Sequence, residues 1–369
     1  MLFYLAEWLR EYLGFLNVAR YVTFRVMAAF VTSLVICLVL FPWLIGRLKS
    51  LQMGQVIREE MPANHHAKAG IPTLGGLLVM VSIQISSLLW CQLSNRLVLL
   101  TLAVGFLFAT VGFIDDARKL RERHSRGLPG KVRLAVEFLV TGALLWSLLA
   151  WWGRDYSYDL RLYLPFVSAE RFWWNLPLWL YFVLGLLVIV GTANAVNLTD
   201  GLDGLAAGPI LTASAVFLIL AYLTGAKLGS LDLSRYLLIP KVVGAQELSI
   251  VASAIMGATI GFLFYNTYPA EIFMGDTGAL GLGAMLGSMA VLTKNELLST
   301  VVFGVFLFEA ISVILQTTSF KLTGKRVLPM APLHHSFEKI GWKEPKIVVR
   351  FWIASLLLAM VALASIKVR

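Results

Sequence analysis

Charged residues are scarce in this chain: 14% of its 369 residues are Asp, Glu, Lys or Arg, whereas 59% are hydrophobic. Ordinary soluble domains carry about 25% charge, so the shortage excludes a typical water-soluble fold and points to an integral membrane protein. Cysteine is nearly absent. The two present, Cys37 and Cys91, lie in or at the end of apolar runs without metal or redox spacing, which excludes a disulfide framework or a cysteine metal centre and leaves them as small packing residues. The N-terminal stretch MLFYLAEWLREYLGFLNVAR lacks a basic start and a small-residue cleavage site and carries Glu7 and Glu11, so no signal peptide is expected there. Leu2, Leu5, Leu9, Tyr12, Leu13 and Leu16 recur at helical spacing instead, predicting a short helix within residues 1–20 that lies at the membrane surface.

What the chain has in quantity is long apolar runs. Ten are close to the roughly 20 residues a helix needs to cross a bilayer: 21–46, 73–91, 97–114, 132–152, 178–194, 204–224, 248–265, 277–293, 300–320 and 347–366. The expected fold is therefore all-α, a polytopic membrane protein of ten transmembrane helices forming one domain over 1–369, with no sizeable soluble part.

A formal net charge of +10 raises nucleic acid as a partner, but in a membrane chain the positive-inside bias accounts for it, and no nucleic-acid binding is expected. If the spans alternate, loops 47–72, 115–131, 195–203, 266–276 and 321–346 share one face. Arg47, Lys49, Arg58, Lys68, Arg118, Lys119, Arg121, Arg123, Arg126 and Lys131 crowd the first two of these, and six further lysines and arginines the last. That face is assigned to the cytoplasm, with both termini outside.

The unusual polar residues collect on the same face. GFIDDARK sets Asp115 and Asp116 at the end of the third span, NAVNLTDGLDGLA sets Asp200 and Asp203 between the fifth and sixth, and FMGDTGAL sets Asp276 at the start of the eighth. MAPLHHSFE adds His334 and His335. Taken singly, an acid at a span end is a solvated residue or a helix cap; Asp203 and Asp276 each precede a helix they could cap. Five acids converging from three loops favour a common site. Neighbouring carboxylates at 115 and 116 repel, and a cation is the natural means of keeping both ionised. An oxygen-only set with few histidines suits a hard cation such as Mg²⁺, which binds a few carboxylates together with substrate phosphates. Lysines and arginines close by complete the pattern of phosphate chemistry. The adjacent His334 and His335 cannot both point along one helical face, and phosphate donation or proton transfer stands beside a merely solvated loop as their reading. Glu137 and Glu309 are acids inside the fourth and ninth spans, a costly placement that marks them for attention.

Together, NAVNLTDGLDGLA, FMGDTGAL, GFIDDARK, PTLGG and MAPLHHSFE resemble the phospho-N-acetylmuramoyl-pentapeptide transferases, bacterial translocases of the polyprenyl-phosphate N-acetylhexosamine-1-phosphate transferase superfamily, and the likeness extends over essentially the whole chain. The resemblance implies an active-site cleft on the cytoplasmic side of the inner membrane. It implies transfer from UDP-N-acetylmuramoyl-pentapeptide to undecaprenyl phosphate with Mg²⁺, giving lipid I and UMP in peptidoglycan biosynthesis, with a homodimer as a candidate assembly. Carried over by motif, Asp115, Asp116, Asp276, His334 and His335 are the implied catalytic residues, with Asp276 the Mg²⁺ ligand. Lys68, Thr73, Arg133, Asn197, Asp200, Asp203, Asn266, Phe273 and Gln316 are the implied substrate-binding set, Phe273 stacking on the uracil. The chain departs from the pattern at Ser336, where a third histidine is usual and where serine cannot carry a proton charge near neutral pH. Direct attack by the lipid phosphate and a covalent phospho-aspartate route both fit these residues. A UDP-N-acetylglucosamine-dependent relative would keep the aspartates; a cation- or proton-coupled transporter would need acids along the bilayer midplane, where only Glu137 and Glu309 could lie.

Overall fold

In a computed structural model, residues 1–51, 70–122, 127–155, 159–229 and 231–366 are described. Hydrocarbon offers the backbone no hydrogen-bond partners, so apolar runs of this length must satisfy their own N–H and C=O groups as helices. A short helix, α1 (Leu2–Leu9), precedes the apolar helices α2 (Val22–Ser50), α3 (Gly75–Trp90), α4 (Arg96–Glu122), α5 (Gly130–Asp155), α6 (Leu178–Thr199) and α7 (Ala207–Gly225). They are followed by α8 (Leu248–Asn266), α9 (Gly275–Leu292), α10 (Gly304–Thr323), the short α11 (Leu333–Lys339) and α12 (Glu344–Ala364). Among the described residues, nine helices are long and apolar enough to cross a membrane. The tenth expected span is α3, whose 16 residues reach about 24 Å, short of a roughly 30 Å hydrocarbon core. The strands among the described residues form two small antiparallel hairpins, Arg161–Tyr163 with Trp173–Asn175 and Lys227–Leu228 with Leu231–Asp232.

The helices form an inner and an outer set. Helix α9 is buried at every position from Thr277 to Leu292, packed by α3, α4 and α6. Its glycines make this possible, because small residues let helix backbones approach closely; a Cβ on Gly76 of α3 would collide with the backbone of Gly278. Helix α8 is the second inner element, lying against α2, α3 and α7. Helices α2, α5, α10 and α12 turn large apolar side chains outward, such as Val39, Leu139, Phe308 and Met360, as lipid-facing surfaces do. Phe3 of α1 is buried under the Arg25 guanidinium, 4.6 Å from its ring centre. Arg25 also makes a buried two-pronged pair with Glu247, at 2.7 and 2.6 Å, which ties the start of α2 to the start of α8. That end is opposite the one where Asp115, Asp116 and Asp276 gather.

Candidate active site at the helix ends

Asp115 and Asp116 are consecutive on α4, so about 100° of helix rotation separates them and they serve different neighbours. Asp116 faces the start of α9. Its Oδ1 accepts the Asp276 N–H at 3.2 Å, and its Oδ2 accepts the Thr277 N–H at 2.9 Å and the Thr277 hydroxyl at 2.7 Å. A helix begins with unsatisfied N–H groups and a partial positive charge, and here a carboxylate from another helix meets both needs. Gly112, one turn earlier on α4, permits the approach: a Cβ there would strike the Asp276 carbonyl. Gly275, at φ +74°, turns the chain into α9 in a conformation that favours glycine.

Asp115 faces the other way. Its Oδ1 accepts the Leu128 N–H at 2.5 Å, and the Lys119 ammonium lies 2.6 Å from Asp115 Oδ2 and 2.8 Å from Asp276 Oδ2. Arg133 Nη1 reaches the same Asp276 oxygen at 3.2 Å. Asp115, Asp116 and Asp276 each bring one oxygen within 4.8 Å of the others. The cation the paired acids call for is thus represented by a lysine, four residues after Asp115 on the same helix face; that spacing is the signal for Lys119 in the sequence, where it otherwise stands among the basic charges of the loop. These residues fit a hard cation: the donors are carboxylate oxygens, and an ammonium between Asp115 and Asp276 marks where positive charge is stabilised. Both Asp116 oxygens are engaged by donors of α9, whereas Asp115 and Asp276 share the Lys119 ammonium, whose position suits a cation.

The two glycine-rich loops close around this cluster. Asp200, half-buried just after α6, has its carboxyl pushed up to about 7 by burial and by the charges of Asp276, Asp116 and Asp203. Asp203 is buried, and rather than capping α7 it accepts the Ala270 N–H at 3.0 Å while its own N–H donates to Glu344 at 2.8 Å. Nor does Asp276 cap its own helix, since Asp116 does. Asn266 accepts the Gly204 N–H at 2.9 Å and donates to the Ile272 carbonyl at 2.8 Å. Asp203 and Asn266 therefore shape the two loops through backbone contacts. The Phe273 N–H donates to the Pro72 carbonyl at 2.9 Å and its carbonyl accepts the Gly75 N–H at 2.8 Å, so PTLGG docks along FMGDTG with Thr73 beside Gly275. Phe273 and Asn197 are half-buried. Lys68 lies outside the described residues, as do His65 and His66.

Glu309 of α10 organises the histidines. It accepts the Leu333 and His334 N–H groups at 2.7 and 3.1 Å and stands 3.2 Å from His334 Nδ1. His334 is fully buried, its Nε2 pressed against Gly201, where a Cβ would collide with it. Adjacency does not separate the two rings as the helical-face argument suggested: their centres lie 4.2 Å apart, while His335 Nδ1 takes its own partner, Glu338, at 2.6 Å. The Ser336 hydroxyl donates to the Met330 carbonyl and accepts the Met330 N–H, closing the loop in front of the histidines. Gln316 does the same from α10, accepting the Val327 and Leu328 N–H groups at 3.0 Å each.

Comparison with known proteins identifies the family of the chain. Residues 98–294 match the model of glycosyl transferase family 4. The chain is 49% identical over 372 residues to a phospho-N-acetylmuramoyl-pentapeptide-transferase of Sorangium cellulosum (strain So ce56), covering 100% of this chain and 99% of that one. It is 48% identical to proteins of the same name from Anaeromyxobacter sp. (strain Fw109-5), over 381 residues, and Syntrophus aciditrophicus (strain SB), over 372 residues, in both cases across 100% of each chain.

Proposed function

The chain belongs to the phospho-N-acetylmuramoyl-pentapeptide transferases, within glycosyl transferase family 4, and from that premise we propose how its helix ends carry out the transfer. The enzyme forms lipid I in peptidoglycan synthesis by moving phospho-N-acetylmuramoyl-pentapeptide from its UDP conjugate to a lipid carrier. The carrier in this proposal is undecaprenyl phosphate, and the setting is the bacterial inner membrane with ten spans, the site facing the cytoplasm and both termini outside. The observation that carries the reading is the convergence of Asp115, Asp116 and Asp276, from two different helices, within 4.8 Å at one end of an intramembrane bundle.

Two substrates of opposite solubility must meet, and a cleft at helix ends lets a prenyl tail stay in lipid while its phosphate reaches the acids. One phosphate oxygen of the carrier attacks the β-phosphorus, the bond to the bridging oxygen breaks, and UMP departs with that electron pair. One pyrophosphate linkage replaces another, so the exchange is close to isoenergetic. A prenyl phosphate is already an anionic nucleophile, which favours direct attack over a phospho-aspartate. Asp115 and Asp276 would hold Mg²⁺, which when bound neutralises charge on the pyrophosphate. Lys119 and Arg133 bind phosphate oxygens, Asp116 fixes the start of α9, and Phe273 with Asn197, Asp200, Thr73 and Lys68 receives the nucleotide. His334 and His335, beside the Asp200–Gly201 turn, serve as donors to the departing phosphate; Ser336 keeps their loop closed.

The decisive assay supplies purified protein with prenyl phosphate, Mg²⁺ and either UDP-N-acetylmuramoyl-pentapeptide or UDP-N-acetylglucosamine. UMP release with the first alone is the expected result. Turnover of the second instead would move the chain to the N-acetylglucosamine branch.

A further inference from the structure

Glu137 is a carboxylate on α5, fully buried inside a helix that crosses the membrane, yet nothing in the transfer itself asks for it. A buried carboxylate is costly unless it is paired. Its pairing is specific: Oε1 stands 3.5 Å from Arg133 Nε, one turn earlier on α5, and Oε2 accepts the Asn194 side-chain amide at 2.5 Å. The circle closes on α6, where Asn194 Oδ1 accepts Arg133 Nη2 at 3.3 Å. Arg133 is thereby held by a hydrogen bond at Nη2 and by the Glu137 charge beside Nε, and the remaining nitrogen, Nη1, points at Asp276 Oδ2 at 3.2 Å. Without these contacts the guanidinium, carried on a flexible stem, would lean wherever the acids pulled it.

We propose that Glu137 is a positioning residue, which with Asn194 holds Arg133 beside Asp276 while drawing part of its positive charge away from that carboxylate. Two consequences follow from the geometry. Arg133 is kept within reach of a phosphate brought to the cluster, and it competes only weakly with a divalent cation for Asp276. Replacing Glu137 by a neutral residue leaves the guanidinium with Asp276 as its nearest anion, so the arginine binds the acid more firmly and a cation finds it harder to displace. The inference rests on the assignment of Asp276 as a cation ligand.

Mn²⁺ binding to the full-length protein without substrates, read by electron paramagnetic resonance, tests both. Glu137→Gln should weaken Mn²⁺ binding about tenfold, and Asn194→Ala, which leaves every charge in place, should weaken it in the same direction. In an Arg133→Gln background, Glu137→Gln should change Mn²⁺ affinity little, because the residue through which it acts has gone; a double-mutant cycle reads that coupling directly. Melting temperature, followed in parallel, separates this from simple loss of packing. Wild-type affinity in both single variants, or an equal effect of Glu137→Gln with and without Arg133, overturns the inference while leaving the cation site intact. Failure of the wild-type protein to bind Mn²⁺ overturns the cation site and the inference together.

Discussion

Asp116 accepts the backbone N–H of Asp276, so one acid of the cluster builds the helix start on which another is displayed. Asp115 and Asp116 look equivalent in sequence, yet their carboxylates meet different partners. Asp116 is structural at its oxygens, and Asp115 and Asp276 share an ammonium.

That division predicts different failures. Asp276→Asn keeps the shape of the side chain but removes its charge, and turnover should fall on the order of a hundredfold or more, with Mn²⁺ affinity lost alongside. Asp116→Ala should lower unfolding stability by about 0.5–2 kcal/mol, the usual cost of a lost helix cap, with a smaller loss of cation affinity. Asp203→Asn retains an acceptor for the Ala270 N–H and should do least. Near wild-type turnover of Asp276→Asn at low Mg²⁺ would remove Asp276 from the cation site.

A methyl group at Gly201 would collide with His334 Nε2. Overfilling a packed site destabilises a fold by about 1–3 kcal/mol, so Gly201→Ala should lower unfolding stability by that order and, by displacing His334, reduce turnover, while leaving Mn²⁺ affinity unchanged. Unaltered turnover would mean that the His334 ring is not held against this turn during the reaction.

Asp200 provides a pH test. Its carboxyl moves from the ordinary 3.8 up to about 7 through burial and neighbouring carboxylates. Between those values the folded protein keeps a proton that the unfolded chain has released, so stability falls as pH rises through this window. Thermal unfolding in detergent with chelator, compared at pH 4.5 and 7.5, should show a smaller decline for Asp200→Asn than for wild type. Identical declines would mean that Asp200 is ionised throughout.

The membrane orientation is open to labelling. Cys37 and Cys91 are buried and should give little background. Cysteine at Lys343 should be protected from impermeant thiol reagents in intact cells, whereas cysteine at Lys227 should react. The reverse pattern would place the acids outside the cell.

Read on its own, the chain announces its membrane helices, because the cost of burying charge in hydrocarbon forces apolar runs of fixed length that are visible residue by residue. The acids were equally visible, since each stands within a few residues of a span end, and the recurring motifs carried the family. Lys119 was within reach too, being one helical turn from Asp115. The pairings between distant helices were not. Asp116 with Thr277, Glu309 with the His334 N–H, Glu137 with Asn194, and Arg25 with Glu247 join residues whose separation in the chain carries no periodic signal. Asp203 and Asn266 show the same limit from the other side: only the packed loops reveal that their side chains accept the Ala270 and Gly204 N–H groups. Sequence determined which groups were present at the membrane end, because hydropathy acts locally along the chain. The tertiary structure alone decided which oxygen faces which donor, because that depends on how closely glycine-lined helices approach one another.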